Sequence, residues 1–363
     1  MSADSQDAPR PFAGDAARLL ARAASADRRR EARLATAIDD FFLVDDDRLD
    51  DRTRASLHNV LSGAVRAIER EIAGHAARQL AVENFALSVA LGDGSTLPRL
   101  IDSGLLRDPD VMDELLGQVR LKAIGESLLA NRAPGAQPAL LSRLATCEDS
   151  AVALAARDYL LADSGPRDAA AARRGDLSAN VHTRLVWWVA AALRERLAAE
   201  PVQQAAIDRA LEDAGRRTLA THDDGDGLDH AATRLAAAID ARAEEVGELL
   251  VESLSEGLAA LFVAVTAHAL RLDFPAARAL TLDPDGDRLW LAMRALGLDR
   301  VTIAQIGLAL ADADSRRDIE AFADQLDTIE TIPTEVARAA LAPLSLNADF
   351  RAALRALGGG RQR

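Results

Sequence analysis

The stretch densest in chemistry-bearing side chains is THDDGDGLDH, residues 221 to 230, with two histidines and four aspartates. Carboxylates and imidazoles this crowded could hold calcium or zinc. A calcium loop of the EF-hand type needs acids at positions 1, 3 and 5, Gly at 6 and Glu at 12. Counted from Asp224, the third position is Asp226, but the fifth is Leu228 and the twelfth Leu235, so the pattern fails. Zinc needs about four ligands held on firm elements by supporting hydrogen bonds. His222 and His230 instead flank a glycine-rich loop. Asp and Gly favour turns, and Asp226 or Asp229 can cap a following helix. The stretch is therefore expected to be a joint, not a metal site.

DPDGDRLW, residues 283 to 290, poses the same question. Asp283, Asp285 and Asp287 fit positions 1, 3 and 5, but Arg288 replaces the Gly and Arg294 replaces the Glu. A helix–turn–helix corner is expected, with Asp285 or Asp287 at the new N-terminus. Glu248, Glu252 and Glu256 form a row at four-residue steps; without Glu-x-x-His pairs they suit a solvated acidic face better than a di-iron site. DRRREAR, residues 27 to 33, is the one cationic cluster. Its arginines could grip phosphate or an acidic protein, though Asp27 and Glu31 dilute the charge and favour a solvated face. Trp187 and Trp188 are adjacent and point about 100° apart on a helix. Core packing is the first expectation for the pair, and an exposed Trp would be an interface anchor. The possible interaction surface is thus Trp187, Trp188, Arg28, Arg29 and Arg30.

Nothing else assembles into catalytic machinery. His58, His75, His182 and His268 are scattered on helical stretches, and Glu71 lies one turn before His75, as in a helical ion pair. Cys147 has acidic neighbours, which oppose thiolate formation. GDGSTLP lacks the Lys of a phosphate loop and fits a capped turn. No catalytic residue, cofactor or metal is assigned.

The elements that would position these groups are helices. Hydrophobic residues make up 49% of the 363, yet only 3% are aromatic, so the apolar content is mostly Ala and Leu, strong helix formers. An all-α protein is expected. The clearest helix carries Leu57, Leu61, Val65, Ile68, Ile72 and Ala76 at three- and four-residue steps, with Asp50 and Asp51 at its start. Two short helices precede it, with Ser25 as N-cap of the second. Further helices are expected at 83–92, 95–106, 109–130, 137–145, 148–163, 177–198 and 202–220. After the joint they resume at 228–243, 244–272, 274–281, 285–297, 299–312, 315–328, 333–342 and 347–357. Tight turns between helix pairs suggest an αα-repeat of the HEAT kind, although the period is irregular. The organisation expected is a disordered 1–12, a HEAT-like domain over 13–220, a linker at 221–228, a C-terminal helical domain over 229–357 and a disordered 358–363.

Three segments carry a family resemblance: VRAIEREIAGHAARQLA at 65–81, LRDPDVMDELLGQVRLKAIGESLL at 106–129, and the long run from Val251 to Ala311 that contains GLAALF and RALGLD. Together, from about residue 40 to 315, they resemble a bacterial family, chiefly alphaproteobacterial, catalogued as a domain of unknown function. The resemblance implies an all-helical fold with HEAT-like repeats in its N-terminal part; it brings no known activity and no functional residues. The family's first motif has an Arg one turn after its Glu; here Glu69 is followed by Ile72 and Ala73.

The formal net charge of −14 disfavours nucleic acid, whose phosphates an acidic surface repels. A single cysteine suits a reducing compartment. The longest nearly uncharged run, 257–270, is too short to span a bilayer and fits the central helix of a soluble core. The function expected is a non-catalytic cytoplasmic scaffold or regulator binding a protein partner, with self-association left open. The rivals are a ligand sensor or enzyme with a pocket between the helical halves, and a HEAT-like nucleic-acid binder with an Arg-lined face.

Overall fold

The computed structural model describes residues 12–42, 49–81, 91, 95–132, 139–164, 177–197, 201–222 and 227–359. All but residue 91 of the expected helix at 83–92, the centre of the 221–228 linker, residues 1–11 and residues 360–363 lie outside them, while residues 358 and 359 of the expected disordered tail are helical. Among the described residues are eighteen α-helices and no strand. In chain order they are α1 (Phe12–Ala24), α2 (Ala26–Phe42), α3 (Asp51–Leu80), α4 (Leu97–Asp102), α5 (Pro109–Ala130), α6 (Leu140–Ala145), α7 (Ser150–Asp163), α8 (Ala179–Arg196) and α9 (Pro201–Ala220). Then come α10 (Leu228–Ile239), α11 (Ala243–Ser255), α12 (Ala259–Leu270), α13 (Phe274–Leu282), α14 (Asp287–Ala295), α15 (Arg300–Ala313), α16 (Ile319–Thr331), α17 (Thr334–Leu341) and α18 (Ala348–Gly359).

The chain divides into two compact units. One comprises residues 1–32, 121–147 and 235–363; the other comprises 33–120 and 148–234. Residues 221–228 fall within the second span, and three of the dividing points lie inside α2, α5 and α10.

The second unit is built around α3. Asp50 caps its N-terminus by accepting from the Thr53 amide at 2.8 Å. Burial works against the Asp50 charge, but bonds from Thr53 and nearby amides hold its pKa below the usual carboxylate value. The stripe from Leu57 to Ala76 is fully buried, and it packs against α8 and α9. Leu185, Val189, Leu193, Ile207 and Leu211 share that core. Amphipathic helices associate this way because each stripe removes the other from water, at about 25 cal/mol per Å² of apolar surface.

In the first unit α12 is the interior element: Ala259 through Ala267 are all buried, between α11 and α13. No single described helix is long and apolar enough to cross a membrane. The single helix expected at 244–272 is in fact two. Gly257 takes a left-handed conformation (φ +73°), and the Leu258 amide bonds back to Ser253 O at 2.8 Å, ending α11. A Cβ at Gly257 would lie 2.9 Å from the Gly125 carbonyl oxygen, so the break also lets α5 come close. α11 packs on α15, α15 on α16, and α14 on α17, while α1 lies against α14, α16 and α17.

Ser25 falls at the α1–α2 joint but does not cap α2. Its hydroxyl donates to Arg22 O at 2.9 Å and accepts from Arg29 Nη1 at 2.6 Å.

Candidate functional site

The first unit brings together two motifs that stand more than 250 residues apart in sequence. α14 begins at Asp287, after the left-handed Gly286, so DPDGD forms a helix–turn–helix corner as its composition predicts. Asp287 is 1% exposed, and a buried carboxylate is costly unless cations and donors surround it. α1 and α2 supply them. Arg22 Nε donates to Asp287 Oδ1 at 2.9 Å, and Arg29 Nη2 to Oδ2 at 2.6 Å. Arg29 Nε also reaches Asp285 Oδ2 at 3.0 Å, and Arg22 Nη2 reaches Gln325 Oε1 at 2.6 Å. Hydrogen bonding to Asp287 raises the pKa of Arg22 further. Arg288 returns the contact, donating to Asp27 Oδ1 at 2.5 Å and to Ala23 O at 2.8 Å. DRRREAR is therefore not simply a solvated face. Arg29 and Asp27 are committed to this cluster, whereas Arg28 is exposed and Arg30 half-buried.

The cluster forms one wall of a cavity of about 360 Å³. Trp290 and Phe322, with ring centroids 4.4 Å apart, add an aromatic wall. Arg316, Arg317 and Asp318, from DSRRD at residues 314 to 318, line a further side. Asp314 accepts from Arg316 Nε at 2.8 Å and Nη2 at 2.6 Å. Burial alone would raise Asp314, but Arg316 and then Arg317 hold it below the usual carboxylate value. Asp318 caps α16, accepting from the amides of Glu320 and Ala321, each at 3.0 Å. Arg317 is almost completely buried, and burial pushes its pKa down to about 10. Its Nη2 donates to Thr281 O, while Nε stands 3.9 Å from Asp314 Oδ2. Sequence reasoning missed Arg22, Asp314, Arg316 and Arg317. The available signal was two adjacent arginines framed by aspartates at a helix start.

The acidic row on α11 does not form one solvated face. Glu248 is exposed and Glu252 pairs with Arg143 at 2.7 Å, but Glu256 is buried. It accepts from the Ala139 and Leu140 amides at 2.7 and 3.0 Å, because the start of α6 leaves backbone donors without helical partners.

The tryptophan pair, His222 and His230 lie in the second unit. Trp187 is 38% exposed and rests on Gly215 of α9; Trp188 is half-buried against the core. His222 stacks on the buried His182 with ring centroids 3.8 Å apart, and its Nε2 lies 3.1 Å from Leu177 O. His230 is exposed. Glu71 accepts from the Thr221 hydroxyl, and His75 Nδ1 lies 2.8 Å from Arg78 Nη2. Glu69 is buried, bound by Arg196 Nη1 at 3.1 Å and the Thr96 amide at 3.2 Å. A cation from α8 thus serves the motif glutamate where no Arg follows it. Among the described residues, no group of three or more His, Cys, Asp or Glu side chains could hold a metal.

No curated protein and no solved structure matches the sequence. A family model described as an uncharacterised protein conserved in bacteria, DUF2336, matches residues 133–342. The match begins later and ends further on than the three resembling segments. It takes in α6 to α17, hence the DPDGD corner and the DSRRD wall, and spans more than half of the chain: the protein belongs to the DUF2336 family.

Proposed function

We propose that the protein is a non-catalytic cytoplasmic interaction or regulatory module that binds a protein partner through an exposed apolar face of α18. One observation carries this. Phe350, Leu354 and Leu357 follow one another at steps of four and three, which places them on one side of a helix, and they are 54%, 47% and 74% exposed. A row of large apolar side chains left in water marks an interaction surface. The helix that bears them is tied down: Arg351 donates to Leu344 O and lies 3.6 Å from Asp273. Trp187 offers a second anchor. The net charge of −14 favours a protein partner over nucleic acid.

A HEAT-like arrangement is the finer architecture we favour for the presenting surface. Sequential packing of α11 on α12, α12 on α13 and α15 on α16 supports it. The packing of α3 on α9, far along the chain, departs from simple neighbour stacking.

The test is affinity capture by the intact chain from lysate of its own bacterium, with and without chelator, against a Leu354→Asp/Leu357→Asp variant. A stoichiometric partner held by the wild type and lost by a folded variant is the expected result. No partner, or the same one held by both, sinks the proposal. A partner lost on chelation would redirect attention to residues 221–230.

A further inference from the structure

The buried guanidinium of Arg317 has hydrogen-bonding capacity that the protein leaves unused. Nε and Nη1 have no hydrogen-bond partner among the described residues, and the side chain is only 4% exposed. Buried donors without acceptors are rare in folded proteins because each forfeits its hydration. Asp314 pairs with Arg316 and does not hydrogen-bond Arg317, whose Nε stays 3.9 Å away.

Arg317 also lines the cavity, whose volume of about 360 Å³ suits a small molecule. The formal charges around it nearly cancel, so net charge does not choose the ligand. The hydrogen-bond inventory does. Asp287 is held by Arg22 and Arg29, Asp285 by Arg29, and Asp318 by two helix amides. The acceptors are engaged while donors remain. A guanidinium presents N–H groups in a planar fork that matches two oxygens of a carboxylate or phosphate. Trp290 and Phe322 supply an apolar wall for the rest of such a molecule.

We propose that this cavity binds a small organic anion, its oxyanion group taken by Arg317 with Arg316 beside it, and its body against Trp290 and Phe322. This does not rest on the α18 interaction surface, and either proposal can fail alone.

The experiment titrates the intact chain with inorganic phosphate and, separately, with succinate. Chloride at matched ionic strength is the control, and thermal melting and calorimetry are the readouts. Saturable binding of at least one oxyanion is expected. Arg317→Met should weaken it at least about tenfold, since the charge-assisted fork is lost. The exposed Arg66→Gln, in the other unit, should leave it unchanged. Which anion saturates at the lower concentration tells phosphate from carboxylate chemistry. If Arg317→Met does not fold, Arg317→Lys serves, because it keeps the charge and loses the fork. No saturable effect beyond chloride overturns the proposal, and so does binding that survives the Arg317 substitution.

Discussion

Replacing Asp287 by Asn should loosen the N-terminal helices from the body of their unit. The carboxylate is 1% exposed, and it holds one arginine from α1 and one from α2. Removing one partner of a fully buried ion pair costs about 3–5 kcal/mol. Here Arg22 and Arg29 retain 47% and 31% side-chain exposure and can turn toward water, so about 2–3 kcal/mol is expected. Asp285→Asn, at a side chain 43% exposed, should cost less than about 1 kcal/mol. Hydrogen exchange of α1 and the start of α2, followed by mass spectrometry in the intact chain, reads this as faster local opening. A double-mutant cycle with Arg29→Met should return a coupling of about 1–2 kcal/mol. Exchange in Asp287→Asn equal to wild type, or zero coupling, would refute the claim that this cluster anchors the segment.

Other perturbations follow the same physics. Gly257→Ala should cost over about 2 kcal/mol in a thermal melt, because φ is +73° and the new Cβ would meet the Gly125 carbonyl oxygen at 2.9 Å. Gly307→Ala would push a Cβ into the Phe322 ring and should cost about 1–3 kcal/mol by overpacking; unchanged stability would place that ring elsewhere. Glu256→Ala should cost about 2–3 kcal/mol, since it strips the acceptor from the Ala139 and Leu140 amides. Asp314 titrates below its ordinary value in the folded state, so its contribution is complete above the unfolded carboxylate pKa and vanishes as pH falls through the folded one. Urea midpoints of Asp314→Asn should therefore lie below wild type at neutral pH and converge with it in acid.

Where one helix face decides the packing, the sequence was easy to read. The α3 stripe shows its 3.6-residue period in the amino acids themselves, and every predicted stripe residue is buried. The break between α11 and α12 was harder. Gly257 is the one break signal in a mostly helix-forming stretch, and what makes it strict, a carbonyl on α5, lies over a hundred residues earlier. Glu256 and Ser25 were misread for a related reason: each finds a partner that local spacing does not announce, an amide on α6 in one case and Arg29 in the other. The site follows this pattern. The aspartates of DPDGD and the arginines of DRRREAR were each legible as charged clusters, but nothing local shows that Arg29 meets Asp287 across 258 positions. Pairing joins the two motifs into one cluster around the buried Asp287 and gives the cavity a wall.

The central functional claim, a protein-binding face on α18, is tested most directly by comparing the partners retained by the intact chain and by Leu354→Asp/Leu357→Asp. Both side chains are exposed, so the variant should melt within about 0.5 kcal/mol of wild type. The account predicts one stoichiometric protein held by the wild type and absent from the equally stable variant. Identical retention by the two proteins would contradict it.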